Sequence, residues 1–302
     1  MSVALEGVLP VLATPFTAAG DLDLPALENQ ITWVLEQGAD GVVMGMVSES
    51  LRLSSEERDG LASAICKFTA GRGTVVTSVG AESLHTAIRH AQSAEASGAT
   101  AVMAIPPVAT AVEDQEIVRY YSGIIEAIGI PVVVQDASGY LGRPLSVELQ
   151  VCLFNEFGDR ALFKPEAQPI GPRLSALRDA TGGRASIYEG TGGLALVDSF
   201  RRGIAGTMPG PDVCWALVAL WKALKAGDDE RVSALHGPLC ALVSIQTSLD
   251  AFVSVQKHLL QRQGVIPNTN SRGPVGFTMD PETEREVDRL FDLLCEVTLA
   301  AV

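Results

Sequence analysis

Short apolar runs alternate with longer amphipathic segments over the first two-thirds of the chain. The runs are Gly7–Leu12, Gly41–Met46, Thr74–Val79, Ala101–Ile105, Pro131–Val134, Ala161–Lys164, Ser186–Tyr188 and Gly206–Met208. They are rich in Val, Ile and Met and carry no polar alternation, the pattern of parallel strands buried on both faces. Between them the spacing predicts helices at Leu24–Glu36, Ser54–Phe68, Ser83–Ala96 and Glu113–Ile128. Ser54 and Glu57 form a capping box at the second of these. Glycines close several helices ahead of the next strand, as in Gly38-Ala39-Asp40-Gly41, Gly98-Ala99-Thr100 and Gly203-Ile204-Ala205-Gly206. Eight strands with interleaved helices predict an α/β fold, a (β/α)8 TIM barrel. No GxGxxG follows the first strand, which argues against a doubly wound nucleotide-binding sheet.

After Asp212 the strand pattern stops. Val213–Ala226, Asp229–Thr247, Leu249–Gln263 and Asp280–Val302 are helical, with a loop rich in Pro, Asn and Gly at Pro267–Pro274. The expected organisation is therefore a barrel over 1–222 and a C-terminal helical subdomain over 223–302. That subdomain either pads the barrel or makes an oligomer contact.

Composition narrows the function. The 302 residues are 47% hydrophobic and 19% charged, with a net charge of −14, so a large core is expected and disorder is not. So acidic a surface repels phosphate backbones, and neither nucleic acid nor an acidic membrane is an expected partner. The N-terminus has no basic start or long apolar run, and no apolar stretch is long enough to span a bilayer. The five cysteines form no CxxC pair, and the four histidines make no metal-ligand pattern. A cytoplasmic protein with reduced thiols, no metal and no cofactor is expected.

The chemistry is expected at the C-terminal ends of the strands. There the sequence places Thr14, then Gly45-Met46-Val47-Ser48-Glu49, Pro106-Pro107, Gln135-Asp136, Lys164 and Glu166, Glu189-Gly190, and Thr207-Met208. Lys164 is the focus. Of five lysines it alone sits at a strand end; Lys67, Lys222, Lys225 and Lys257 lie on helices, where solvated ammonium groups are expected. An amine in a poorly solvated pocket has its charged form disfavoured and can attack a carbonyl to form a Schiff base. The alternative is a lysine that snorkels to water. Asp136, Glu49 and Glu189 are candidate acid–base groups, each more often structural and bonding amides of nearby loops. Gly190-Thr191-Gly192-Gly193 is either an anion-holding loop or plain turn chemistry.

These residues carry a resemblance to the dihydrodipicolinate synthase and N-acetylneuraminate lyase family of Schiff-base lyases. It rests on Thr14-Pro15-Phe16 with Gly20 and Asp23, Gly45 to Glu49 followed by Leu53 to Arg58, Gly98-Ala99, Pro106-Pro107, Lys164, Gly190 and Gly203 to Gly206. It implies a barrel with a C-terminal helical subdomain, assembled as a dimer or homotetramer, in which Lys164 condenses with pyruvate or another 2-keto acid. It also implies substrate binding on Met46, Val47 and Ser48 and near Gly190, with Gln135 and Met208 beside them. The departures mark a divergent branch. The family's Gly-Thr-Thr-Gly-Glu is replaced by Gly45-Met46-Val47-Ser48-Glu49. Its strand-five tyrosine aligns with Gln135, its tyrosine pair after strand four with Val108-Ala109, and a carboxylate-binding arginine near Tyr140. An amide cannot transfer protons as a phenol does. The resemblance then makes Asp136, one residue past the position of that tyrosine, the first choice for proton transfer, ahead of Glu189 and Ser48. The resemblance therefore implies an aldolase- or dehydratase-type lyase other than dihydrodipicolinate synthase, acting on a substrate larger or more apolar than pyruvate. A barrel that binds a keto acid as sensor or remnant is the alternative; a phosphosugar aldolase is disfavoured by the lack of basic residues near Gly190–Gly193.

Overall fold

A computed structural model describes residues 5–140 and 142–299. Eight parallel strands build the barrel: β1 (Gly7–Val8), β2 (Gly41–Met44), β3 (Thr74–Ser78), β4 (Ala101–Ala104), β5 (Val132–Asp136), β6 (Ala161–Pro165), β7 (Tyr188–Glu189) and β8 (Gly206–Thr207). Strands β2 to β6 pair in sequence order, and β1, β8 and β7 form a second sheet. Single bridges, Val11 to Val43 and Phe163 to Ile187, join the two sheets and close the barrel. All eight expected runs contain strands: β1, β2, β3, β4 and β8 stop short of the expected C-terminal ends, while β5, β6 and β7 run one or two residues past them.

Side-chain alternation sorts each strand into two cores. Leu9, Val43, Val76, Met103, Val133 and Leu162 fill the lumen. Val102, Val132, Val134 and Phe163 face the helices. Each buried aliphatic contributes roughly 1.5–3 kcal/mol on removal from water. In the barrel wall are α1 (Leu24–Glu36), α2 (Ser55–Thr69), α3 (Leu84–Ala96), α4 (Asp114–Ala127), α5 (Val147–Phe157), α6 (Ile170–Ala180), α7 (Leu196–Arg201) and α8 (Cys214–Ala226). The capping box forms: Glu57 N–H donates to the Ser54 hydroxyl at 3.2 Å, and Ser54 N–H donates to the Glu57 carboxylate at 2.9 Å. Gly38 and Gly98 end their helices at φ 91° and 92°, a conformation that favours glycine.

Helices α9 (Asp229–Val243), α10 (Leu249–Arg262) and α11 (Pro281–Leu299) follow the barrel. The expected boundary at 222/223 falls inside α8, which packs against β1 and belongs to the barrel wall. Among the described residues no helix is long and apolar enough to cross a membrane.

Candidate active site

Lys164 projects into the lumen from the end of β6 because it shares its strand face with Leu162. It is buried, and its Nζ donates to Glu166 Oε1 at 2.9 Å. Glu166 lies two residues on, past Pro165, so extended backbone returns its side chain to the same face. Its other oxygen, Oε2, accepts from Gln135 Nε2 at 2.8 Å. Gln135 stands opposite Lys164 in the β5–β6 register. Burial raises the Glu166 carboxyl above the usual carboxylate range; the Lys164 charge and the Gln135 hydrogen bond oppose that rise, and Glu189 adds to it.

These three residues line a cavity of about 20 Å³ at the end of the barrel, space for roughly one water. Met46, Val47, Met103 and Met208 also line it, with Tyr140 from the β5 loop and Phe252 from α10. Gly190 backs the amine closely. A Cβ at this position would lie 2.6 Å from Lys164 Nζ and 2.6 Å from Glu166 Oε1. Any side chain here would force the Lys164 amine and the Glu166 carboxylate to shift.

Tyr140 was not among the expected site residues. Its phenol is pushed up to about 12, first by burial and then by the charges of Glu166 and Glu189. It is a neutral O–H donor near pH 7. Phe252 was also missed: it lies on a C-terminal helix more than two hundred residues from the β2 loop it faces, and no local pattern points inward. Glu166 did carry a signal, its spacing of two from Lys164.

Lys164, Met46, Val47, Gln135, Gly190 and Met208 all line the cavity. Asp136 does not. It follows Gln135, so alternation turns it out toward the helices, where Oδ1 accepts from Ser138 N–H and Oδ2 from Leu145 N–H, both at 3.0 Å. Its carboxylate orders the β5–α5 loop and does not reach the amine. Ser48 also turns away. Its hydroxyl donates to Leu12 O at 2.6 Å and accepts from Gly45 N–H at 3.0 Å, which shapes the β2 loop. Glu189 accepts from the Thr207 hydroxyl at 2.5 Å and from the Thr191 amide and hydroxyl. It caps the loop leading to Gly190. Phe163, next to Lys164 on β6, packs in the outer core.

Lys257 corrects another expectation. It is not a solvated helix lysine but is almost fully buried on α10. Its ammonium donates to Glu49, to Asn270 O at 2.6 Å and to the Ser271 hydroxyl at 3.2 Å, and it lies 4.8 Å from the Phe16 ring centroid. Glu49, in the left-handed region at φ 54°, thereby ties the β2 loop to the C-terminal helices. One residue earlier on α10, Gln256 Nε2 donates to Val47 O at 3.0 Å. Helix α10 thus holds the loop that carries Met46 and Val47. Among the described residues no cluster of His, Cys, Asp or Glu is arranged to hold a metal.

The sequence matches the dihydrodipicolinate synthetase family over residues 4–292. It is 27% identical to an L-2-keto-3-deoxyarabonate dehydratase from Azospirillum brasilense over 93% of this chain and 92% of that one. It is also 27% identical to a 4-hydroxy-tetrahydrodipicolinate synthase from Rhizobium meliloti, over 94% and 96%. A putative dihydrodipicolinate synthetase from Pseudomonas aeruginosa superposes with a TM-score of 0.90 at 28% identity, covering 96% of this chain and all of that one.

Proposed function

Because the chain belongs to the dihydrodipicolinate synthetase family, and so is a lyase, we propose that Lys164 forms its Schiff base with a 2-keto acid and that Glu166 moves the protons. The observation that carries this is the buried Lys164–Glu166 pair, 2.9 Å apart and steadied by Gln135, at the mouth-side end of the lumen. The amine must be neutral to attack. A carboxylate whose affinity for protons is raised by burial is the natural acceptor for the ammonium proton.

The steps balance on these residues. Lysine nitrogen adds to C2, the carbonyl oxygen leaves as water, and an iminium remains. The iminium draws electrons from C3, and Glu166 takes the C3 proton to give an enamine. Where C4 carries a hydroxyl, the enamine expels it, and Glu166 returns the proton so that water leaves. Hydrolysis frees Lys164. One carboxylate serves as base and then as acid, which favours dehydration; deprotonating the C4 hydroxyl instead would lead to aldol cleavage. The relative from Azospirillum brasilense is named a dehydratase, which supports the same order. Tyr140 contributes a neutral O–H, taking the place of the phenol that Gln135 displaces on β5. Dihydrodipicolinate synthesis is not proposed, because the strand-five phenol and the β2-loop hydroxyls are replaced.

With those hydroxyls gone, the backbone amides of Met46 and Val47 are left to hold the substrate carboxylate. Among the described residues neither donates to another backbone group. A homo-oligomer, dimer or tetramer, belongs to the same proposal, with Leu51 and Val108 as exposed apolar side chains on the β2 and β4 loops.

The reading of a keto-acid binder without turnover draws on the cavity's size, about 20 Å³, which is smaller than a three-carbon acid needs. The test separates the two. The protein is incubated with pyruvate and with 4-hydroxy-2-keto acids, reduced with borohydride and mapped by mass. An adduct on the Lys164 peptide, absent in Lys164→Ala, together with loss of water from the hydroxy acid, is expected. An adduct without turnover would favour the binder. No adduct would remove the Schiff base.

A further inference from the structure

Among the described residues the cavity is lined by one cationic side chain, Lys164, and that lysine is consumed in the proposed covalent bond. Every other wall is apolar or neutral except Glu166. Glu189 lies close enough for its charge to act on Glu166 and Tyr140. A substrate with one carboxylate brings one negative charge, which the iminium offsets. A second carboxylate or a phosphate on the remote end would find no further cation among the described lining residues. Burying an unpaired charge is costly.

Resting on the Schiff-base reading, we infer that this enzyme takes 2-keto monocarboxylates whose remote end is uncharged, and that α10 sets this limit through Phe252. Three of the chain's six methionines, Met46, Met103 and Met208, line the cavity. Their unbranched thioether side chains adapt to irregular shapes, so the small resting cavity can widen for a neutral alkyl or hydroxyalkyl tail. Widening supplies volume but no counter-charge. The limit is therefore on charge rather than on length. Phe252 is placed to enforce it because α10 is anchored on both sides of the β2 loop, through Gln256 to Val47 O and through Lys257 to Glu49.

The matched pair 2-oxopentanoate and 2-oxoglutarate tests this. Both have five carbons, and they differ in the remote carboxylate. Borohydride labelling of Lys164 is expected to be at least ~100-fold faster with 2-oxopentanoate. High salt tests the source: it screens the long-range repulsion of a chain with net charge −14, while a buried unpaired charge is screened much less, so most of the preference should persist. Phe252→Arg, or Val47→Lys at the half-buried edge should the first variant not fold, is expected to narrow the preference at least ~10-fold by giving the remote carboxylate a partner. Equal labelling by the two acids, or a preference erased by salt, would overturn this inference and leave the Schiff base standing. Labelling by no keto acid would overturn both.

Discussion

Asp212 offers the sharpest quantitative test of the fold around the site. It lies in the turn after β8 that also carries the cavity residues Met208 and Pro209. Its side chain is buried, and Oδ2 has no hydrogen-bond partner. Burial pushes its carboxyl up from 3.8 to about 7, against a smaller pull from its own backbone. The folded protein therefore holds a proton on Asp212 up to about pH 7, whereas the unfolded chain releases it near 3.8. Between those values the native state binds more protons, so stability falls as pH rises, and the loss is complete above pH 7. A difference of about 3 pKa units at 1.36 kcal/mol each amounts to about 4 kcal/mol. Asp212→Asn stays neutral throughout. It should match the wild type near pH 4 within ~1 kcal/mol and exceed its stability by up to ~4 kcal/mol near pH 8. Urea unfolding of both proteins at the two pH values reads this directly. Groups with the opposite linkage, such as Glu57, whose carboxyl is held at about 2 chiefly by its hydrogen bond with Arg272, are common to both proteins and cancel in the comparison. A variant with the same advantage at both pH values, or one less stable at pH 8, would refute the reasoning.

Other substitutions separate chemistry from structure. Glu166→Gln should still form the reducible adduct but lose roughly 10²–10⁴-fold in turnover, measured by single-turnover assay beside labelling. Gly190→Ala should abolish labelling while circular dichroism stays unchanged, since its Cβ would fall 2.6 Å from Lys164 Nζ. Lys257→Met should lower stability by roughly 3–5 kcal/mol in urea unfolding, because it leaves Glu49 buried without its main partner. Adding Glu49→Gln to that variant should restore part of the loss.

The barrel was legible because its strands are buried on both faces, so each appears as an uninterrupted apolar run between helix caps. Leu24–Glu36 is found with the expected bounds, and Ser54 caps α2 as its spacing to Glu57 requires. Helices α5, α6 and α7 carry weaker punctuation and were not singled out. Lys257 shows the limit of such reading. A lysine on an amphipathic helix is ordinarily solvated, and what buries this one is Glu49, 208 positions away. Helix α10 presents its Lys257 face to the β2 loop only because the C-terminal helices fold back over the barrel mouth. No window of sequence contains that fact.

The site was half legible for a different reason, which is strand parity. Lys164 and Gln135 face each other across β5 and β6. That pairing fixes which neighbours share the lumen: two residues past the lysine is inside, and one residue past the glutamine is outside. Glu166 and Asp136 are both carboxylates just beyond strand ends, equivalent by composition and position along the chain. Parity alone separates them, making one a partner of the amine and the other an acceptor for loop amides. The amide at 135 then has a positioning role. It cannot carry a proton, but it holds Glu166 Oε2 at 2.8 Å and leaves the other oxygen facing Lys164. On the proposed mechanism, proton transfer moves from strand five to strand six, onto a carboxylate whose proton affinity burial raises.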